Sequence, residues 1–235
     1  MHKLANRLCC FLLAVMAVAS GSGFAQTAAP DALMRAVTVE VTGMMRQIRQ
    51  EQNKDIRAAS QARLHEFVTT RIVPLFDFDR MTEIAVARNW HLATPEQKRT
   101  LAAEFQTLLV RTYSTALSSY RDQVIEFKRL HAAPGDTAVI VKSVMRRPGT
   151  EALTMDYDME KKPDGWKVYD ITVDGISLIS TYRETFSDQV KEGGIARLIA
   201  VLNDKNRQDD AHFRFPQTET VSVHSILRGF MQGAR

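Results

Sequence analysis

The 235 residues carry 31 basic and 27 acidic side chains, a net charge of +4, with 45% of residues hydrophobic and 25% charged. So small an imbalance offers no electrostatic case for nucleic-acid binding. Both cysteines, Cys9 and Cys10, fall near the amino terminus, which excludes a disulfide framework for the remainder.

Residues 1–25 read as a secretory signal. Lys3 and Arg7 form a positive start, Leu8 to Ala19 an apolar stretch, and Gly23-Phe24-Ala25 a small-residue cleavage site before Gln26. The apolar stretch is shorter than a membrane span of about 20 residues. Asn6, Arg7 and Leu8 before Cys9 do not suit a lipoprotein signal. The chain after Ala25 contains 210 residues with net charge +2, no cysteine and no apolar run of spanning length, so a soluble exported protein held by its core is expected.

A helix is predicted over 31–52, where Leu33, Val37, Val41, Met44, Met45 and Ile48 recur at helical spacing. A second covers 53–73 with a stripe of Ile56, Leu64, Phe67, Val68 and Ile72, and Pro74 stops it. The connector 74–79 leads into a short helix ending near Arg88, with Trp90 in the following loop. Thr94-Pro95-Glu96-Gln97 is a capping-box start for the longest helix, 95–120, whose apolar face runs from Leu101 through Phe105, Leu108, Leu109 and Tyr113 to Ala116 and Tyr120.

The hydrophobic period then switches from 3.6 to 2. Four strands are expected: 123–130, 137–146, 151–160 and 166–173. In the third, Leu153, Met155, Tyr157 and Met159 alternate with Thr154, Asp156, Asp158 and Glu160. Lys161 to Gly165 makes a turn, and the fourth strand is apolar at both parities. Asp174-Gly175 breaks it, and Ser177 is placed to cap a helix from about Leu178 to Lys191. A last helix covers about 194–205. Helices, then a meander, then helices describe an α+β fold in one domain, 26–206, followed by an extension, 207–235, weakly amphipathic through Val221, Ile226, Leu227 and Phe230.

Catalytic constellations are poorly represented. His65-Glu66 opens a metalloprotease-like pattern, but Thr69 stands where the second histidine belongs. Asp156, Asp158 and Glu160 lack the glycine and twelfth-position glutamate of a calcium loop. Gly175-Ile176-Ser177-Leu178-Ile179 follows a strand as a nucleophile elbow does, but ends in Ile rather than Gly. No catalytic or metal-binding residue is therefore expected, and no cofactor.

The run GWKVYDITVDGISLISTYRETF, Gly165 to Phe186, resembles the signature of the MlaC family, the toluene-tolerance periplasmic phospholipid carriers. Val73 to Met81 (VPLFDFDRM), Trp90, Ala93 to Lys98 (ATPEQK) and Phe105 to Tyr113 (FQTLLVRTY) are similar to a second family block, in order and spacing. Val86-Ala87-Arg88 departs from it where a glycine-containing turn is expected. The resemblance covers about 32–205 and leaves the extension out.

The resemblance implies an NTF2-like fold, with helices wrapped around a four-stranded antiparallel sheet and an apolar pocket. It implies a monomeric carrier with phospholipid as cargo, working between an outer-membrane lipoprotein complex and an inner-membrane ABC transporter complex to keep the outer membrane asymmetric. The expected apolar wall is Leu108, Leu109 and Tyr113 on the long helix facing Val139, Val141, Leu153, Met155, Tyr157 and Val168 on the sheet. The same stripe also reads as ordinary core. Arg183, beside Tyr182, is the candidate phosphate contact, with an internal salt bridge as its alternative. Fold analogy supplies a second function, an isomerase using Asp170 as base and Tyr157 as donor. Against it, Asp170 reads as a carboxylate paired with Arg183 or a backbone amide.

Overall fold

The computed structural model describes residues 28–118, 123–147, 149 and 151–207. The predicted signal 1–25, Tyr120 and the extension beyond Arg207 lie outside the described residues. Five α-helices are described: α1 Pro30–Gln50, α2 Lys54–Phe67, α3 Phe78–Val86, α4 Pro95–Ser118 and α5 Arg183–Arg207. Five strands are described: β1 Val124–Phe127, β2 Ala138–Arg146, β3 Leu153–Lys162, β4 Gly165–Val173 and β5 Ile176–Ser177.

The α+β class and the helix–meander–helix order match expectation; the strand count does not. The sheet is a five-stranded antiparallel meander in the order β1-β2-β3-β4-β5. Asp174 and Gly175 both take positive φ, 46° and 81°, the geometry of a tight two-residue hairpin turn. Ile176 therefore folds back on Val173 as a fifth strand. The turn is clamped by Asp174 Oδ1, which accepts from the amide and hydroxyl of Thr154. The first strand is shorter than predicted: it ends at Phe127, after which Lys128 N makes one further bond to Lys142 O (2.9 Å).

The capping box predicted at Thr94 forms. Thr94 N donates to Gln97 Oε1 (3.0 Å) while Gln97 N donates to Thr94 Oγ1 (3.2 Å), a reciprocal capping box. Asn53 caps α2 and Asp77 caps α3. Ser177 Oγ accepts from Ser180 N as helical backbone resumes. The second predicted helix ends irregularly. After Phe67 comes a π-helical turn, Val68–Ile72, then a short 3₁₀ turn at Val73–Leu75. Pro74 cannot donate, and its ring crowds the carbonyl four residues back, so regular α-helix cannot continue into it. At the other end of the chain, Gly193 and Gly194 interrupt α5 with non-helical dihedrals where two helices were expected.

Among the described residues, the two larger bodies of packed side chains lie on either side of Phe76 in the chain's packing. Phe105 of α4 stacks edge-on against Tyr182 and Phe186, with centroids 5.0 and 5.1 Å away, inside a core shared by α3, α4 and α5. Met34 of α1 joins Val139, Val141, Met159 and Val168 at one end of the sheet. The sheet meets the helices through Phe76, which bridges to Val168, and through Asp77 N, which donates to Val168 O (2.9 Å). Lys162 reinforces that seam by an ion pair with Asp77 (2.9 Å).

Ala87 ends α3 at φ 52°, ψ −126°, a conformation that favours glycine. This is the position where the family pattern departs from an expected glycine-containing turn. Relief of the Cβ strain outweighs the entropy that glycine brings to the unfolded chain. Ala87→Gly is expected to stabilise the fold by about 1 kcal/mol; an unchanged or lower urea midpoint at equal slope would show that Ala87 is unstrained.

Candidate binding cavity

Between α1, the π-helical turn, the C-terminal half of α4 and the inner face of the sheet lies a cavity of about 310 Å³. Well-packed interiors rarely leave voids larger than a water molecule, and this volume falls at the lower end of small-ligand pockets. Val37, Thr38, Val41, Thr42 and Met45 of α1 form one wall, a contiguous helical face. Val68, Ile72, Val73, Phe76, Phe78 and Met81 close a second side. Leu109, Val110 and Tyr113 come from α4. The sheet contributes Ile125, Met145, Met155, Tyr157, Ile171 and Val173, with Leu178 and Ile179 beyond it. No acidic or basic side chain is among these, and polar groups are confined to four hydroxyls.

The nine predicted wall residues divide. Leu109, Tyr113, Met155 and Tyr157 do line the cavity. Leu108 turns into the α3–α4–α5 core, Val139, Val141 and Val168 are packed with Met34, and Leu153 packs with Met145, Val173 and Leu178. These five are core that backs the walls. Helical spacing put Leu108 and Leu109 on one broad stripe, but α4 packs against different neighbours on its two sides. The reading missed α1 altogether as a wall. Its stripe of Val37, Val41 and Met45 was visible, yet nothing in a stripe says whether a solid core or a hollow lies opposite.

The head-group pair is also placed elsewhere. Arg183 Nε donates to Ile84 O (2.9 Å), closing the C-terminal end of α3, and Arg183 does not border the cavity. Among the described residues it makes no ion pair, and it stands away from the cavity lining. Tyr182 is buried behind the wall, where its hydroxyl is hydrogen-bonded to that of Tyr113. Burial pushes the Tyr182 phenol up to about 12 and raises Tyr113 well above the ordinary value. Tyr157 is raised by burial too, offset in part by a hydrogen bond with Ser143.

Asp170 does not reach the cavity either. Its carboxylate accepts from Ile171 N (2.7 Å), Ile179 N (3.2 Å) and the Ser177 hydroxyl. The backbone-amide pairing weighed for it from sequence is present; the Arg183 pairing is not. Its orientation follows from a β-bulge. Tyr157 faces Ile171 and Asp158 faces Asp170, but Met159 faces Val168, leaving Tyr169 as an extra residue. Val168 therefore shares a face with Met159 and the interior, while Asp170 falls on the opposite face despite equal parity. With its oxygens engaged and the cavity on the other side of the sheet, an Asp170–Tyr157 acid–base pair is not assembled. Among the described residues no cluster of side chains has the arrangement of a metal site, and no helix is long and apolar enough to cross a membrane.

Comparison with known proteins gives concordant results. The sequence profile described as MlaC protein matches residues 41–204. The toluene tolerance protein ttg2D of Pseudomonas putida is 25% identical over 166 residues, covering 70% of this chain and 74% of that protein. A phospholipid-binding protein from Ralstonia solanacearum, solved in complex with a phospholipid, is 37% identical with a TM-score of 0.63, covering 76% of this chain and 97% of that one.

The buried phenols set a pH dependence. Their folded pKa values lie above the unfolded value near 10, so folding favours the protonated form. The stability they contribute is complete below pH 10 and is lost as pH rises toward 12. The melting temperature of the wild type is expected to fall more steeply between pH 10 and 12 than that of a Tyr113→Phe/Tyr182→Phe double variant. Parallel slopes would mean that these phenols titrate normally.

Proposed function

The chain belongs to the MlaC family, and from that premise we propose that it is a periplasmic phospholipid carrier whose cargo's acyl chains lie in the cavity between α1, α4 and the sheet. The observation that carries this reading is the cavity itself: about 310 Å³ walled by aliphatic, thioether and aromatic groups, with no ionisable side chain other than two tyrosines.

Free energies show what such a hollow has to do. Left unfilled, its apolar walls forgo the contacts that a packed core would make. Hydrocarbon filling it restores those contacts. From the lipid's side, two acyl chains hold on the order of 30 methylenes, each about 0.8 kcal/mol better out of water, so unassisted passage costs roughly 20 kcal/mol or more. A bilayer buries the same chains, so exchange with a membrane is nearly balanced. Direction then comes from what docks at either end, which we assign to an outer-membrane lipoprotein complex and an inner-membrane ABC transporter complex. Maintenance of outer-membrane lipid asymmetry follows from that placement. The signal read over 1–25 supports export. No catalytic step is part of the reading, because transfer needs burial and release and breaks no bond.

Native mass spectrometry of the purified protein is expected to find a diacyl phospholipid bound, and stripped protein is expected to reload from vesicles. Absence of both would overturn the carrier reading. Wall and core are also separable. Ile171→Trp, filling the hollow from the sheet, is expected to lower lipid loading at least tenfold with little loss of stability in the stripped protein. Leu101→Ala, in the fully buried helical core, is expected to cost about 2–5 kcal/mol of stability while each folded molecule still loads. Equal losses of loading and stability in both variants would make the cavity ordinary core.

A further inference from the structure

Four hydroxyls border the cavity: those of Thr38, Thr42, Tyr113 and Tyr157. Three are engaged with the protein. Tyr113 is bonded to Tyr182, Tyr157 to Ser143, and Thr42 donates to Thr38 O (2.7 Å). The Thr38 hydroxyl makes no hydrogen bond among the described residues. Most threonines of these helices, Thr112 and Thr185 excepted, bond back to the helix. Thr42, Thr69, Thr70, Thr82, Thr100 and Thr107 each donate to the carbonyl four residues back. Thr38 has Met34 O available at that position and does not take it. A donor is thus presented at an otherwise apolar wall, where desolvation is unfavourable unless something entering the cavity accepts from it.

The neighbours of Thr38 along α1 indicate what that is. Arg35, three residues earlier on the same side of the helix, is fixed by the carbonyls of Phe127 and Lys128 (3.1 and 3.0 Å) and lies 5.3 Å above the Phe127 ring, with 43% of its side chain exposed. Val41 and Met45, on the following turns, are buried and line the cavity. One face of α1 therefore passes from a partly exposed cation, paired with Asp31 (3.8 Å), to one hydroxyl not bonded to the helix and then to Val41 and Met45. At 1.5 Å per residue these steps are about 4.5 and 4.5–10 Å. A diacyl phospholipid has the same order: anionic head group, ester carbonyls, acyl chains. We propose that the Thr38 hydroxyl donates a hydrogen bond to an acyl-ester carbonyl of the bound lipid and so sets how deep the chains enter. This rests on the carrier reading and adds to it a selectivity for ester-linked over ether-linked lipid.

The test uses stripped full-length protein and two phosphatidylethanolamines of equal chain length, one diacyl and one dialkyl-ether, each displacing a fluorescent diacyl probe. The wild type is expected to prefer the diacyl form about three- to tenfold, the worth of one hydrogen bond. Thr38→Val, which keeps the branched shape, is expected to bring the two lipids to parity by weakening the diacyl form alone. Thr38→Ser is expected to keep the preference. A preference unchanged in Thr38→Val, or equal weakening of both lipids, would overturn the assignment and leave the carrier reading standing. A wild type that binds neither lipid would overturn both.

Discussion

A hollow that must stay open is the constraint on which the rest of this structure depends. Apolar side chains collapse into any void their backbones allow, since each lost contact weakens dispersion as well as hydration. The cavity persists because each wall is braced from behind. Leu101, Phe105, Leu108 and Leu109 lock α4 into the α3–α5 core, and Leu109 also borders the cavity with Val110 and Tyr113. The sheet is braced at one end by Met34, Val139, Val141, Met159 and Val168, and at the other by Leu153 and Leu178. α1 has a smaller brace of its own, in which Val41 and Met45 meet Phe67 of α2. No wall can move inward without breaking the packing that holds it outward.

The same constraint governs the polar groups. A wall beside hydrocarbon cannot carry unpaired donors at no cost, and the hydroxyls of Tyr113 and Tyr157 are tied into pairs with Tyr182 and Ser143. Carboxylates are kept off the inner face. The bulge at Tyr169 turns Asp170 to the opposite side of the sheet, where its oxygens anchor Ser177 and the amide of Ile179. The strongly bonded acid of β4 thus holds β5 and the approach to α5 in place. One irregularity in one strand separates two chemical environments on the two faces of a single sheet.

Most of the architecture was legible in the sequence because it is written in local chemistry. The Thr94–Gln97 capping box, the proline after Val73 and the period-2 run of β3 each correspond to a feature found in place. What failed depends on relations that period alone does not carry. Asp170 and Val168 share sequence parity, but an extra residue between them reverses one relative to the other. The Asp174-Gly175 pair was read as a strand end although it is equally a hairpin signal, and the fifth strand was lost with it. The cavity was half legible: the soft residues were identifiable, but Leu108 and Leu109 share one packed cluster and only Leu109 also reaches the cavity. Arg183 had the right charge near the right motif, and its role at the end of α3 is set by a contact 99 residues away.

Breadth and register call for different side chains, and the walls contain both. Met45, Met81, Met145 and Met155 all border the hollow, unbranched thioethers that repack at little cost around chains of different length or unsaturation. Such a lining holds hydrocarbon but cannot fix where along its length the hydrocarbon lies, because one methylene is worth as much as the next. Sliding is limited only by a group that is chemically distinct from its neighbours. The braced tyrosine hydroxyls are occupied, and Arg35 is held at the outer turn of α1 by β1 and the residue after it. On the proposed carrier reading, the methionine lining would take up differences between chains, while Thr38 would set their position from the N-terminal half of α1. The two roles would then fall to different residues, so a change among the methionines need not disturb the threonine.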